Sequence, residues 1–287
     1  MKYGLPVSSP AVTGKAMQAT TIKSADGLPI AVQEWGNPRG PEILFIHGFN
    51  QCHLSWARQF NDAALAEKFR MVTFDLRGHG SSGKPVNREA YLADKLWADD
   101  VAAVIETTGL KKPVLAGWSY GGRIISDYLR SYGESRIAAI NYVGARTITK
   151  SSMFGPGRVH FAKMISDDLA TNIEGTRGFL RACFEKQPSV EDFETILAFN
   201  MVIPAAVRRA ILERGTDDGA MLKTITRPVL VTHGQADQVL LVTMGEFAQS
   251  EIKNAKLSLY DGVGHSTFWE DAPRFNRELA ELVQMTV

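Results

Sequence analysis

The sequence predicts an α/β fold: a mostly parallel sheet with helices on both faces, interrupted by an all-helical insertion. Three observations predict it. Short apolar runs of strand length alternate with amphipathic helical stretches over most of the chain, the pattern of a parallel sheet covered on both sides. One run, residues 113–116, passes through Gly117-Trp118-Ser119-Tyr120-Gly121 into a stretch with apolar residues at helical spacing, so strand, sharp turn and helix follow directly. From about residue 145 to residue 223 the strand-like runs vanish and only helical patterns remain. The division that follows is a core of residues 1–144 and 224–287 carrying a helical cap of residues 145–223.

Composition limits the function classes. The 287 residues suffice for one large α/β domain with a sizeable core. A formal net charge of +1 points to neither nucleic acid nor an anionic membrane surface. The two cysteines, Cys52 and Cys183, are far apart in sequence, which argues against a disulfide framework or a zinc site and suits a reducing compartment. No stretch approaches the ~20 apolar residues of a membrane span. Gly4, Pro6, Ser8, Ser9 and Pro10 break up the amino terminus, which reads as a loose arm rather than a signal peptide. A cytoplasmic location follows by default.

Taken in order, residues 19–23 and 28–35 read as strands joined by an Asp26-Gly27 hairpin turn. Residues 42–46 (Glu-Ile-Leu-Phe-Ile) form a continuous apolar run, hence a strand buried on both faces. It runs into His47-Gly48-Phe49-Asn50, where His47 reads as structural and Asn50 and His53 as residues of an entrance. Residues 69–74 form the next strand, followed by Asp75-Leu76-Arg77-Gly78-His79-Gly80-Ser81-Ser82, an ordered loop with structural charges. Residues 90–108 form one amphipathic helix. Residues 136–143, 228–232 and 255–260 are further strands, and 242–250 and 272–285 are helices. Within the insertion, helical patterns cover 159–169, 176–187, 191–200 and 204–214. Its apolar residues either line a pocket or form the insertion's own core.

The chemistry is read from strand ends, where parallel sheets build their sites. The turn at Gly117–Gly121 lifts the Ser119 hydroxyl above the sheet and aims a helix N-terminus at it, which suits a developing oxyanion. The N–H groups of Phe49 and Tyr120 are the candidate oxyanion donors. A serine needs a base to take its proton and an acid to orient that base. His265 follows the last strand on a loop with Gly262 and Gly264, and Asp237 follows the strand at 228–232 after Gly234. Ser119, Asp237, His265 is the chain order of an elbow serine hydrolase. Asp261 is the rival acid, four residues before His265. The candidate pocket combines Trp118, Met153, Phe154, Val239, Leu240 and Phe268.

On these residues the chain resembles the α/β-hydrolase superfamily from about residue 19 to its end. Gly117–Gly122 matches that family's nucleophile elbow, His47-Gly48-Phe49 its oxyanion loop, and Asp75–Ser82 its D-x-R-G-x-G-x-S loop. Gly234–Asp237 and Gly264-His265 match its acid and base loops. The resemblance implies an eight-stranded sheet and is nearest to the esterase, cofactor-free haloperoxidase (perhydrolase) and C–C hydrolase branches, which share a helical cap. Haloalkane dehalogenases and epoxide hydrolases need an aspartate where Ser119 stands, and the H-G-G-G loop of some lipases is absent. The expectation is a serine carboxylesterase acting on small to medium esters through an acyl-enzyme, with no cofactor or metal and with a small-molecule ester as partner. A C–C bond hydrolase, a perhydrolase and a ligand-binding non-enzymatic member of the fold remain alternatives. Oligomeric state, acyl length and stereopreference stay open.

Overall fold

The computed structural model describes residues 18–215 and 217–286. The amino-terminal arm expected at 1–15 lies outside the described residues. Eight strands, β1 (Gln18–Lys23), β2 (Pro29–Gly36), β3 (Glu42–Ile46), β4 (Arg70–Phe74), β5 (Val114–Trp118), β6 (Ala139–Val143), β7 (Val229–Gly234) and β8 (Ala255–Tyr260), form one sheet in the order β1-β2-β4-β3-β5-β6-β7-β8. Only β2 runs antiparallel to its neighbours; the remaining pairings, from β4 to β8, are parallel. The α/β class and the eight-stranded, mostly parallel sheet are as the sequence predicts.

Strand alternation builds two cores. Ile43 and Phe45 of β3 point to one face and Leu44 and Ile46 to the other. In β5, Leu115 shares a face with Leu44, while Val114, Ala116 and Trp118 share the opposite one. Both faces are covered, so neither set can be polar.

The principal core helices are α1 (Asp94–Thr107) and α2 (Tyr120–Tyr132). The single helix expected at 90–108 is broken: a short turn, Glu89–Leu92, ends at Ala93, whose ψ of 127° is extended. The Arg77 guanidinium accounts for the break. It takes the carbonyls of Ala90 (2.8 Å) and Leu96 (3.1 Å) while pairing with Asp100 (2.7 Å), which satisfies the carbonyls that a continuous helix would use internally. The charges of the 75–82 loop are thus structural, as its composition suggests.

Between β6 and β7 the described residues form helices and loops, with no strand of the sheet. The longer helices are α3 (Leu169–Ala182), α4 (Val190–Met201) and α5 (Ala205–Leu212), α3 and α4 capped by Asp168 and Ser189. α3 starts seven residues before the stretch read at 176, because its first turns are largely exposed and carry no apolar period. Two seams tie this insertion to the core. Residues 153–157 pair with the loop after β7 through Leu241 N–H to the Met153 carbonyl (2.9 Å) and Gly155 N–H to the Val239 carbonyl (2.9 Å). Arg214, just past α5, donates to Asp94 (2.6 Å), Asp127 (2.7 Å) and the Tyr120 hydroxyl (2.5 Å). After β7 and β8 come α6 (Val242–Glu251) and the closing helix α7 (Ala272–Gln284). No single helix among the described residues is long and apolar enough to cross a membrane.

Candidate active site

Ser119 sits between β5 and α2 with φ 55°, a left-handed conformation costly for a residue with a Cβ. The fold holds it there. Its N–H donates to Val143 (2.9 Å), and its carbonyl accepts from Gly122 (3.1 Å) and Arg146 (3.0 Å). The turn is pressed against the end of β3: a Cβ on Gly121 would fall 2.3 Å from the Ile46 carbonyl, and one on Gly48 only 3.2 Å from the Ser119 Cβ. This close approach requires glycine at 121 and leaves little room for a side chain at 48.

Asp237 and His265 meet across the ends of β7 and β8. His265 Nδ1 lies 2.6 Å from Asp237 Oδ2. A carboxylate only accepts, so Nδ1 carries the proton and Nε2 is left as an acceptor. That Nε2 is buried and makes no hydrogen bond, to Ser119 or any other described residue; such contacts are commonly long before substrate binds. Asp237 Oδ1 accepts from Val239 N–H (2.7 Å) and Leu240 N–H (2.9 Å). A second histidine, His233, places Nε2 3.2 Å from Asp237 Oδ2 and 2.9 Å from the Leu240 carbonyl. Burial alone would raise the Asp237 pKa; the adjacent histidines and their hydrogen bonds outweigh it and hold the carboxyl well below the usual range. Asp261 is exposed on the turn after β8, while the acid bonded to His265 is Asp237. The indole of Trp118 donates to the His265 carbonyl (3.0 Å) and fixes that loop from below.

The loop after β3 is braced by two buried histidines. His47 Nδ1 donates to the Gly48 carbonyl (2.9 Å) while Nε2 accepts from Leu76 N–H (3.0 Å). His79 Nδ1 donates to the Arg77 carbonyl (2.9 Å) while Nε2 accepts from Asn50 N–H (3.2 Å). Burial lowers their pKa values to about 4 and about 3, so both rings are neutral and structural. The N–H groups of Phe49 and Tyr120 have no acceptor among the described residues. Asn50 is fully buried against Asn200 (3.0 Å), and His53 pairs with Asp75 (2.9 Å); both lie behind the loop rather than at an entrance. Cys52, His53 and Asp75 bring donor atoms within 4.8 Å of one another. The Asp75 oxygens accept from His53 and Ser81, and burial pushes the Cys52 thiol far up. The cluster therefore reads as part of the brace.

A narrow cavity of about 30 Å³ lies over Ser119. Of the six pocket residues expected from sequence, Phe154, Val239 and Leu240 line it, beside Phe49 and Tyr120. Trp118, Phe268 and Met153 do not. Trp118 follows the parity of Val114 and Ala116 to the opposite face of the sheet, where it packs on Phe268 (4.8 Å between rings). Phe268 also packs against Trp56, with ring centres 4.5 Å apart and the planes tilted, and belongs to that lower core. Met153 ends a short 3-10 turn (Ser151–Met153) and Phe154 follows it in an extended conformation, and their side chains diverge: Phe154 lines the cavity and Met153 packs on the core. Phe179, one of the insertion's apolar residues that could line a pocket, does so, whereas sequence reasoning missed Arg146, Phe161, Ile211 and Leu212, which complete the wall. A larger hollow of about 660 Å³ lies at the amino ends of the strands around Glu42, Lys111 and Pro228, far from Ser119.

Comparison with known proteins agrees with this fold. The family model described as alpha/beta hydrolase fold matches residues 41–272. A bifunctional esterase/perhydrolase of Acinetobacter calcoaceticus, DCH, is 28% identical over 295 residues, covering 92% of this chain and 99% of that protein. Among solved structures, a candidate aryl esterase from Burkholderia cenocepacia superposes with a TM-score of 0.90 at 37% identity, covering 94% of this chain and 99% of its own. The esterase RhEst1 from Rhodococcus sp. ECU1013 does so with a TM-score of 0.87 at 30% identity, covering 94% and 99%.

Proposed function

Because the chain belongs to the α/β-hydrolase family and is a hydrolase, we propose that it is a serine carboxylesterase in which Ser119, His265 and Asp237 act as nucleophile, base and acid. The observation that carries the reading is the 2.6 Å bond from His265 Nδ1 to a buried, doubly amide-bonded Asp237, which leaves a buried acceptor at Nε2. Ser119 Oγ attacks the ester carbonyl carbon as its proton passes to His265 Nε2. Asp237 stabilises the imidazolium so formed. The carbonyl oxygen becomes an oxyanion held by the Phe49 and Tyr120 N–H groups, the latter at the positive end of α2. The C–O bond to the alcohol then breaks, the alcohol leaves with the proton from Nε2, and an acyl-Ser119 ester remains. Water attacks that ester while His265 takes its proton, and the acid departs as the proton returns to Ser119 Oγ. Residues 145–223 act as a cap that closes the acyl cavity. Two buried, unbridged cysteines fit a reducing compartment such as the cytoplasm.

A perhydrolase reading is favoured by one comparison, the bifunctional DCH relative. Hydrogen peroxide in place of water would release a peracid from the same acyl-enzyme. Turnover of p-nitrophenyl acetate to octanoate, with and without peroxide, tests both readings. Wild type should hydrolyse the shorter members, and Ser119→Ala should lose on the order of 10⁶ in kcat. A variant retaining a tenth of the activity would remove Ser119 as the nucleophile.

A further inference from the structure

Three arginines of the insertion and its approach are removed from solvent, Arg208 and Arg214 almost wholly and Arg146 in part, and they are compensated unequally. Arg214 pairs with Asp94 and Asp127. Arg208 has no carboxylate but donates to four oxygens, those of Met164, Asn172, Thr176 and Asn200, at 2.6–3.0 Å. Arg146 has neither. Its side-chain hydrogen bonds run from Nη2, to Thr149 (3.0 Å) and the Arg214 carbonyl (3.2 Å), and its buried Nε has no acceptor. Burial lowers its pKa to about 10, with Arg123 and Arg214 adding repulsion against the attraction of Tyr120 and Asp218. A desolvated cation without a counter-ion is costly unless something else supplies one.

The position of Arg146 says what that something meets. Its backbone N–H bonds the Ser119 carbonyl (3.0 Å), and its side chain lines the cavity over Ser119. It also lines a second hollow of about 370 Å³ immediately outside, whose walls share Phe154, Phe161 and Leu212 with the inner cavity. Arg158 lines the outer hollow too. The two guanidinium carbons stand 5.6 Å and 5.9 Å from the centre of the Phe154 ring. Neither arginine pairs with a carboxylate among the described residues, and no acidic side chain lines either hollow. The route to Ser119 is therefore apolar inside and cationic at its mouth.

We propose that the preferred substrates are esters bearing a carboxylate remote from the scissile bond, held at the cavity mouth by Arg146 and Arg158 while the intervening methylenes lie against Phe154 and Phe161. Guanidinium matches a carboxylate with charge-assisted hydrogen bonds and needs little dehydration to do so. The assignment rests on the ester-hydrolase reading of the same cavity.

The test compares kcat/KM within matched pairs: monoethyl succinate, glutarate and adipate against ethyl butanoate, pentanoate and hexanoate, and 4-acetoxybutanoate against butyl acetate. At least one anionic ester should exceed its neutral partner by about tenfold or more, the worth of one charge-assisted contact. Arg158→Gln, at an exposed residue, and Arg146→Gln should each lower that anionic-to-neutral ratio several-fold, and high salt should lower it in wild type. If neutral esters are hydrolysed but no anionic ester is preferred, or the ratio survives in Arg158→Gln, the proposal is overturned while the esterase reading stands. If no ester reacts, the esterase reading fails, and calorimetry with free adipate decides: binding lost in Arg158→Gln supports an anion site, and no binding to wild type overturns it.

Discussion

The core and the helical insertion hold their buried charges by different means. Around Asp237 every electrostatic demand is met locally, by two backbone N–H groups and two histidines, on loops anchored to β7 and β8. In the insertion, Arg208 is held by neutral oxygens drawn from three helical segments, 161–164, α3 and α4. The difference teaches where rigidity lies. The geometry at Asp237 is fixed by strand ends that cannot shift without disrupting the sheet, whereas that at Arg208 persists only while the insertion's helices stay docked.

The largest expected effect falls on the core. Asp237→Asn should reduce kcat by about 10⁴-fold, because an amide lets His265 adopt the wrong tautomer, while Asp261→Asn should change it less than about twofold, as expected of an exposed residue. Steady-state kinetics on one ester decides between them; a larger loss at Asp261 would reverse the assignment of the acid. In the insertion, Arg208→Met leaves several buried oxygens without a donor and should cost about 3 kcal/mol or more. Proteolysis of the native variant should then cut first within 161–212, with the sheet still protected; cutting spread evenly over the chain would mean that the insertion is no softer than the core.

A third expectation concerns the two neutral histidines that brace the loop after β3, His47 and His79. The folded pKa of His47 is about 4, below its unfolded 6.5, and that of His79 is lower still. Between these values the unfolded chain binds protons that the folded chain refuses, so stability falls as pH drops from about 6.5 to about 4. His47 alone contributes about 3 kcal/mol to that loss. Urea unfolding across this window should show the decline, and His79→Gln should flatten it; a flat profile in the native protein would mean that the histidines are not buried in their neutral form. The smallest effect belongs to the cavity wall. Phe154→Ala should move the acyl preference toward longer chains by about 1–3 kcal/mol of discrimination, and Met153→Ala, outside the cavity, should not. Equal shifts in the two variants would show that they do not diverge as described.

Much of this was legible in the sequence because strand parity and turn chemistry are local. The Glu42–Ile46 run, the Gly117–Gly121 turn and the loops carrying Asp237 and His265 each declare themselves within ten residues or fewer. The pocket was less legible. Its wall comes from Arg146, Phe161, Phe179, Ile211 and Leu212, which meet only when separate helices dock, and helical periodicity identifies a buried face without saying what it faces. Trp118 misled by adjacency: it neighbours Ser119 in sequence, but the alternation of β5 sends it to the other side of the sheet. That alternation was available, since Val114 and Ala116 have the same parity. His233 had a faint signal, standing directly before Gly234 at a strand end, but its approach to Asp237 depends on how the 235–241 loop folds back. The break at Ala93 had none, because Arg77 causes it from another loop.

The central claim is that Ser119 is a nucleophile activated by the core alone. The most direct measurement is reaction with a fluorophosphonate followed by intact-mass and peptide mass spectrometry. Wild type should gain one adduct per chain, located on Ser119, and Ser119→Ala should gain none. Phe154→Ala should label as completely as wild type, because His265 and Asp237 are not part of the cavity wall and the Phe49 and Tyr120 donors are backbone N–H groups. An unlabelled wild-type protein, or an adduct that persists in Ser119→Ala, would contradict the account.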